Sequence, residues 1–309
     1  MINAVKLKPA FKDYLWGGNR LKTEFGKQTE LETVAESWEL SVHPDGESTL
    51  CDGTLLSQYI TREMLGKNAQ RFEYFPILIK FIDAKTNLSV QVHPSDSYAL
   101  ENEGEYGKTE MWYVLDATPD AFLYYGFKKD ITKNEYKDAI QNNTLCDILN
   151  RVEVKKGDVF FIPAGTVHAI GGGCLICEIQ QNSNTTYRVY DYNRRDKDGN
   201  MRPLHIDKAL EVSCLSESPK LTPTRDDDDV TLAECEYFTV RRLKIKDEKK
   251  LCITDKSFHS LIVTNGSGSV GDMSFTKGDS IFIPACESEY TLSGDCEIIL
   301  SYIGEEKCI

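Results

Sequence analysis

The chain carries five histidines, at positions 43, 93, 168, 205 and 259, and two of them sit in segments whose spacing suits metal chemistry. In Leu88-Ser-Val-Gln-Val-His-Pro94, strand alternation sends Val90 and Val92 to one face and Ser89, Gln91 and His93 to the other. A strand face with two polar, metal-competent side chains does not build a core. A second segment, Gly157-x5-Pro163-x-Gly165-x2-His168, leads a Gly-Asp turn into a buried strand, turns again at Pro-x-Gly, and delivers His168 inward. A third, Lys108-Thr-Glu-Met-Trp112, puts Lys108, Glu110 and Trp112 on one strand face. Neutral imidazoles and oxygens converging from different strands make a transition-metal site. Gln91, His93, Glu110 and His168 can supply them, and Lys108 would stand beside the ion. His43 also precedes a proline but has no strand-mate like Gln91, so His43, His205 and His259 are assigned structural roles.

Short strands must position these groups. The alternation predicts strands at Trp38–Val42, Ile77–Ile82, Leu88–Val92, Met111–Leu115, Ala121–Tyr125 and Asp158–Ile162, with more through Val189. Thr132-Lys-Asn-Glu135 has the form of a capping box and predicts a helix to about Gln141, followed by another at Leu145–Leu149. Further helices are expected at Leu55–Leu65, stopped by Gly66, and at Asp207–Val212. A polar, acidic, proline-containing stretch up to Val230 reads as a boundary. It divides a first unit, 1–224, with its helical segment at about 132–150, from a second, all-strand unit at 230–309. Lys156-Gly-Asp-Val-Phe-Phe-Ile-Pro-Ala164 recurs as Lys277-Gly-Asp-Ser-Ile-Phe-Ile-Pro-Ala285, which implies two β units of related design. Under that alignment Gly165 falls on Cys286 and His168 on Glu289, so chemistry belongs to the first copy and the second is metal-free.

Composition narrows the function classes. A net charge of −13 opposes nucleic acid and anionic membranes as partners, and a phosphorylated small molecule would need a local basic pocket. The N-terminus has no apolar signal region and no apolar run is long enough to span a bilayer, which predicts a cytoplasmic address. Ten cysteines lie scattered, mostly in apolar runs, and read as free buried thiols. Cys174 and Cys177 are three apart on a strand, so their sulfurs face opposite ways and make neither a redox pair nor a zinc pair. Asp226 to Asp229 lacks the interleaved glycine and oxygen ligands of a calcium loop and reads as solvated linker.

The Gly157 to His168 spacing is that of the second cupin motif, and strands with turns at such intervals suit a small antiparallel barrel with a ligand at its mouth. The fold expectation is therefore mainly β, two cupin-type barrel or jelly-roll units with a small helical insertion in the first. Seven segments together resemble the type I phosphomannose isomerases in their short form. They are Tyr14-Leu-Trp-Gly-Gly18, Glu36-Ser-Trp-Glu-Leu-Ser41, Phe75 to Ala84, Leu88 to Pro94, Lys108-Thr-Glu-Met-Trp-Tyr113, Ile162-Pro-Ala-Gly-Thr-Val-His168, and Asn184-Thr-Thr-Tyr-Arg-Val-Tyr-Asp-Tyr192. They run in family order over about two-thirds of the chain.

The resemblance implies a zinc-dependent interconversion of mannose 6-phosphate and fructose 6-phosphate, with one Zn2+ per chain and a sugar phosphate as partner. It implies Gln91, His93, Glu110 and His168 as ligands, Arg188 and Lys108 as catalytic groups, and Ser89, Lys108 and Arg188 as substrate contacts. A monomer or weak homo-oligomer is expected. Gln91 in place of a histidine, and Glu110 so far along the chain, depart from the general cupin pattern and fit the isomerases. Gly172 stands where general cupins often carry asparagine.

Aldose-ketose isomerisation opens the ring, removes a proton beside a carbonyl and returns it to the next carbon, so the enediolate needs a preorganised cation. Arg188 suits enediolate stabilisation or phosphate clamping and would share a strand face with Tyr190 and Tyr192. The base is left open between Lys108, a water on the metal and an unidentified carboxylate. Two rival readings stand beside this one. Two histidines and a carboxylate also make the triad of an iron-dependent cupin oxygenase, and a non-catalytic sugar-phosphate-binding cupin could keep the pocket without turnover.

Overall fold

The computed structural model describes residues 2–195, 198–218, 221 and 226–305. Two antiparallel sheets face each other in the first unit. One runs in the order Val159–Ile162, Glu110–Ala117, Cys174–Gln181, Ile77–Ala84, Glu36–Leu40, Ala10–Lys12. The other runs Leu149–Glu153, Phe122–Phe127, His168–Ile170, Val90–Val92, Tyr187–Tyr190. Between them lies an apolar layer that includes Ile82, Trp112, Val114, Leu123, Ile162, Ile170 and Ile176. Helices Lys133–Gln141, Leu145–Ile148 and Ile206–Val212 cover the outer face of the five-stranded sheet, where Val90, Val92, Ala169 and Val189 meet Tyr136, Ile140, Leu145 and Leu210. Val90 and Val92 thus spend themselves on the helices and leave Gln91 free to face inward. The capping box at Thr132 and Glu135 is fully formed.

The second unit is built on an eight-stranded antiparallel sheet, six strands of its own extended at one edge by Val5–Lys8 and Thr49–Leu50, and its inner face is filled by Leu243, Ile245, Leu261, Phe275, Leu292 and Ile298 among others. Its outer face, with Phe238, Phe258, Ile262, Phe282 and Ile299, packs on the back of the six-stranded sheet at Ile77, Ile79, Phe81, Met111 and Tyr113. Phe75 and Phe282 lie against Phe258 at ring separations of 5.7 and 5.3 Å. Burial of each such ring contributes about 1.5–3 kcal/mol. The N-terminal strand Val5–Lys8 joins this sheet, pairing with Ser280–Ile283. The internal repeat is the same turn twice. Gly157 N–H donates to Val114 O and Gly278 N–H to Val263 O, each at 2.8 Å, while Asp158 and Asp279 accept from the backbone three residues earlier.

Several expectations change. The helix expected over Leu55–Leu65 is two short ones, Leu56–Tyr59 and Arg62–Leu65, because Ile60 and Thr61 are extended and Thr61 caps the second through Met64 N–H. Tyr187–Tyr190 carries a register shift after Arg188 and Tyr192 has φ of 55°, so strand alternation does not carry Tyr190 and Tyr192 to Arg188's face. The nine described cysteines are reduced thiols rather than disulfides, but only Cys174, Cys177 and Cys296 are buried. Cys174 and Cys177 belong to opposite faces of their sheet, as alternation requires. Asp226 and Asp229 are tied by ion pairs to Arg241, Arg242, Lys244 and Lys249, and Asp229 opens a strand, so the acidic run anchors an edge. Among the described residues no helix is long and apolar enough to cross a membrane.

Candidate active site

The site lies between the two sheets. On the five-stranded sheet, Gln91 pairs with His168 on one side and with Arg188 on the other, so register alone sets three of the expected groups in a row. On the opposite sheet Glu110 begins its strand, and the chain before it passes tightly beneath Pro94 to Asp96. A Cβ on Gly107 would meet Ser95 backbone at 2.4 Å, so only glycine allows that approach. His93, Glu110 and His168 converge with their donor atoms within 4.8 Å of one another. Glu110 Oε1 is 3.3 Å from His168 Nε2, and Oε2 is 3.7 Å from His93 Nε2. The Gln91 amide lies 3.4 Å from His168 Nε2 and Lys108 Nζ 3.4 Å from Glu110 Oε2.

Both imidazoles are oriented from behind. His93 Nδ1–H donates to Thr185 O at 2.9 Å and His168 Nδ1–H to Thr166 O at 2.8 Å, which leaves each Nε2 with its lone pair facing inward. His93 Nε2 and both Glu110 carboxylate oxygens are buried with no hydrogen-bond partner. Buried acceptors without a donor are costly, and one divalent cation would satisfy them together, so the donor set fits such an ion. Burial holds His93 well below the usual histidine range and His168 at about 4, both neutral as ligation requires. Burial first, and then the Glu178 charge, push Glu110 up to about 8.

A cavity of about 270 Å³ opens beside this cluster. Ser89, Gln91, Lys108 and Arg188 line it, as expected. So do Lys80, Glu178, Glu36 and Arg202, which sequence reasoning did not single out. Lys80 is buried beneath the Trp38 ring, 3.6 Å from Glu36 and 3.5 Å from Glu178. Trp38 and Trp112 indoles donate to Glu36 and Glu178 at 2.6 and 2.8 Å. Burial would lower Lys80, but the two glutamates outweigh it and hold it charged. Burial would likewise raise Glu178, but Lys108 and Lys80 hold it below its ordinary value. The signal for the pair was present as two charges inside apolar strands, Ile77 to Ala84 and Cys174 to Gln181. Arg202 is held by Asp191 through two hydrogen bonds of 2.8 and 2.7 Å.

The three remaining histidines hold structure rather than ligate. His205 accepts from Arg188 N–H and donates its own N–H to Arg188 O, fixing that backbone. His259 meets Tyr290 Oη at 2.8 Å inside the second unit. His43 is buried near Glu105. Glu289, the counterpart of His168, is exposed and paired with Lys250.

Residues 4–118 match the family model of the phosphomannose isomerase type I catalytic domain, and residues 228–303 that of the mannose-6-phosphate isomerase cupin domain. The mannose-6-phosphate isomerase of Streptococcus mutans is 38% identical, over 94% of this chain and 95% of its own. The crystal structure of the mannose 6-phosphate isomerase from Bacillus subtilis superposes with a TM-score of 0.87 at 36% identity, covering 96% of this chain and 99% of that one. A mannose 6-phosphate isomerase structure bound with zinc and yttrium shares the fold, with a TM-score of 0.77 at 18% identity over 97% of this chain and 99% of that one. By sequence along nearly its whole length and by fold, the chain belongs to the mannose-6-phosphate isomerase family, type I.

Proposed function

We propose that the protein interconverts mannose 6-phosphate and fructose 6-phosphate, with one zinc ion per chain held by Gln91, His93, Glu110 and His168. The observation that carries this is the set of inward-facing, unpartnered acceptors on His93 and Glu110, beside a cavity lined by Lys108 and Arg188. That a distant fold-mate is bound with zinc supports the choice of metal, as does the mixed nitrogen and oxygen donor set. Gln91 is the fourth ligand once its carboxamide turns its oxygen inward, a half-turn about one terminal bond. Zinc supplies Lewis acidity toward the carbonyl and hydroxyl oxygens of the open-chain sugar.

The chain's own residues do the rest. Lys108 is placed to carry the proton from the sugar C2 to C1 while the hydroxyl proton on O2 passes to O1, so the aldose becomes the ketose with no proton gained or lost overall. Its distance from Glu110 supports a station between metal ligand and substrate. Lys80, fixed between Glu36 and Glu178, keeps a positive charge facing the developing enediolate oxygen. Arg188 and Arg202 take the phosphate. Arg188 Nε is buried without a partner, which a phosphate oxygen would satisfy, and Arg202 is steadied by Asp191. Lys80, Lys108, Arg188 and Arg202 outnumber Glu36 and Glu178 in the cavity lining, which supplies the local basic pocket that an overall charge of −13 demands.

Residues 1–224 act as the catalytic unit and 230–309 as a metal-free backing. Reduced thiols throughout the described chain agree with a reducing, cytoplasmic setting, and the assembly is a monomer or weak homo-oligomer. The oxygenase reading needs open metal positions, which Gln91 as a fourth ligand beside His168 would reduce. A coupled isomerase assay before and after chelation, with zinc add-back, tests the proposal. Activity should vanish on chelation, return with zinc, and not return in His168→Ala. Full turnover by either the metal-free protein or His168→Ala protein refutes it, and sugar-phosphate binding without turnover supports the non-catalytic alternative.

A further inference from the structure

We infer that His43 and Glu105, neither of which touches the candidate ligands, are positioning residues that hold the metal ligand His93 in register through the loop Ser183–Thr185. The inference rests on the metal reading given above. Glu105 Oε2 gathers that loop at three points, accepting from Ser183 Oγ at 3.4 Å, Asn184 N–H at 3.2 Å and Thr185 Oγ1 at 3.1 Å. The carbonyl of the same Thr185 accepts from His93 Nδ1. Wherever Glu105 sets the loop, therefore, it sets the imidazole and the direction of its lone pair.

His43 sets Glu105. Its Nδ1 accepts from Asp45 N–H at 3.1 Å, which assigns the ring proton to Nε2, and Nε2 faces Glu105 Oε1 at 3.5 Å. The ring is buried and lies edge-on to Trp38, 5.8 Å between centroids, the same indole that roofs Lys80. Asp45 closes the circuit, because its carboxylate accepts from Asn184 Nδ2 at 2.7 Å, and Asn184 lines the cavity. The two walls of the site, the Trp38 strand and the His93 strand, are thereby joined by one path of ring contact, imidazole–carboxylate contact and hydrogen bonds that lies outside the donor set.

The test compares wild type with Glu105→Ala, His43→Phe, which keeps an aromatic ring against Trp38, and His43→Gln, which restores a donor toward Glu105. Zinc affinity is read by competition with a chromophoric chelator, the ligand field by the visible spectrum of Co2+-loaded protein, and bulk stability by the melting temperature of metal-free protein. Glu105→Ala should bind zinc about 10–100-fold more weakly, with an altered cobalt spectrum and a metal-free melting temperature like wild type. His43→Phe should move the same way and His43→Gln should recover. Should Glu105→Ala not fold, Thr185→Val removes a single bond to Glu105 and should weaken zinc in the same direction. Wild-type affinity and spectrum in folded Glu105→Ala or Thr185→Val overturn the inference alone. So does a loss of affinity that merely tracks a lowered metal-free melting temperature. Wild-type protein that binds no zinc overturns the metal reading, and this inference with it.

Discussion

Loading the site with zinc should expel a proton, and the number expelled can be worked out residue by residue. Glu110 is held up to about 8 by burial and by Glu178, against the opposing pull of Lys108 and Lys80. An acid held so far above the ordinary glutamate range is mostly protonated at pH 7. His168, at about 4, and His93, well below the ordinary histidine value, are already neutral there and bring no proton to be lost. Ligation requires the carboxylate, so binding should release on the order of one proton per chain at pH 7, and progressively less as the pH rises past the Glu110 pKa. The sign follows: zinc affinity rises about tenfold per pH unit below 8 and levels off above it. Titration calorimetry in pairs of buffers with unlike ionisation enthalpies measures the proton count directly. Glu110→Gln should bind weakly and lose the pH slope. Zero proton release at pH 7 by wild-type protein, with tight binding, would refute the assignment of Glu110 as a ligand that is protonated before loading.

Other consequences follow from neighbouring groups. Lys80→Met strands Glu36 and Glu178 without their shared cation and should destabilise the fold by about 3–5 kcal/mol in urea unfolding. Adding Glu36→Gln and Glu178→Gln to Lys80→Met should recover much of that loss, and no recovery would show that the lysine's worth lies in packing. Arg202→Ala removes a charge-assisted contact worth about 1.5–3 kcal/mol, so KM for mannose 6-phosphate should rise about 10–100-fold with kcat nearly kept. A fall in kcat at unchanged KM would move Arg202 from phosphate binding to the reacting carbons. Thr132→Ala, at the capping box on the outer face, should cost about 1 kcal/mol and leave turnover untouched.

What the sequence could tell depended on how far each group's meaning travels along the chain. Gln91 and His93 were legible because strand period two separates them from Val90 and Val92 within one short segment, and the helices do cover those valines. His168 was legible because Pro163 and Gly165 fix the turn that aims it, with Gly165 at φ of 88° and its N–H on His93 O. Lys80, Glu178 and Trp38 were not, because their meaning lies in register. Trp38 pairs with Lys80, Lys80 with Glu178, and Glu178 with Trp112, across four strands drawn from residues 36 to 181. No local pattern reports such a row. Arg202 follows a turn rather than a strand, so periodicity had nothing to say about it. Tyr190 and Tyr192 were misjudged for the opposite reason: alternation was assumed through a register shift that a single chain does not announce.

The repeat shows one turn serving two different interiors, a polar one and an apolar one. Both copies keep the glycine and aspartate that make the turn, and both make the same backbone bonds with them. What differs is what the strands beyond the turn leave inside. In the first copy the two sheets enclose a cavity bordered by carboxylates, lysines and arginines. In the second the equivalent inner face is packed with Leu243, Val263, Phe275 and Leu292, leaving the His168 counterpart, Glu289, outside. Yet the second unit still bears on the site, because every catalytic strand has two faces. Glu110, Trp112 and Glu178 point toward the two candidate histidines, while their neighbours Met111, Tyr113, Cys177 and Ile179 point the other way, into the apolar layer shared with Phe258 and Ile299. A strand close-packed on both faces has little room to shift, which holds the side chains on its polar face in fixed positions. The second unit contributes that second face, and so helps keep Glu110 in the place that the proposed ligation needs.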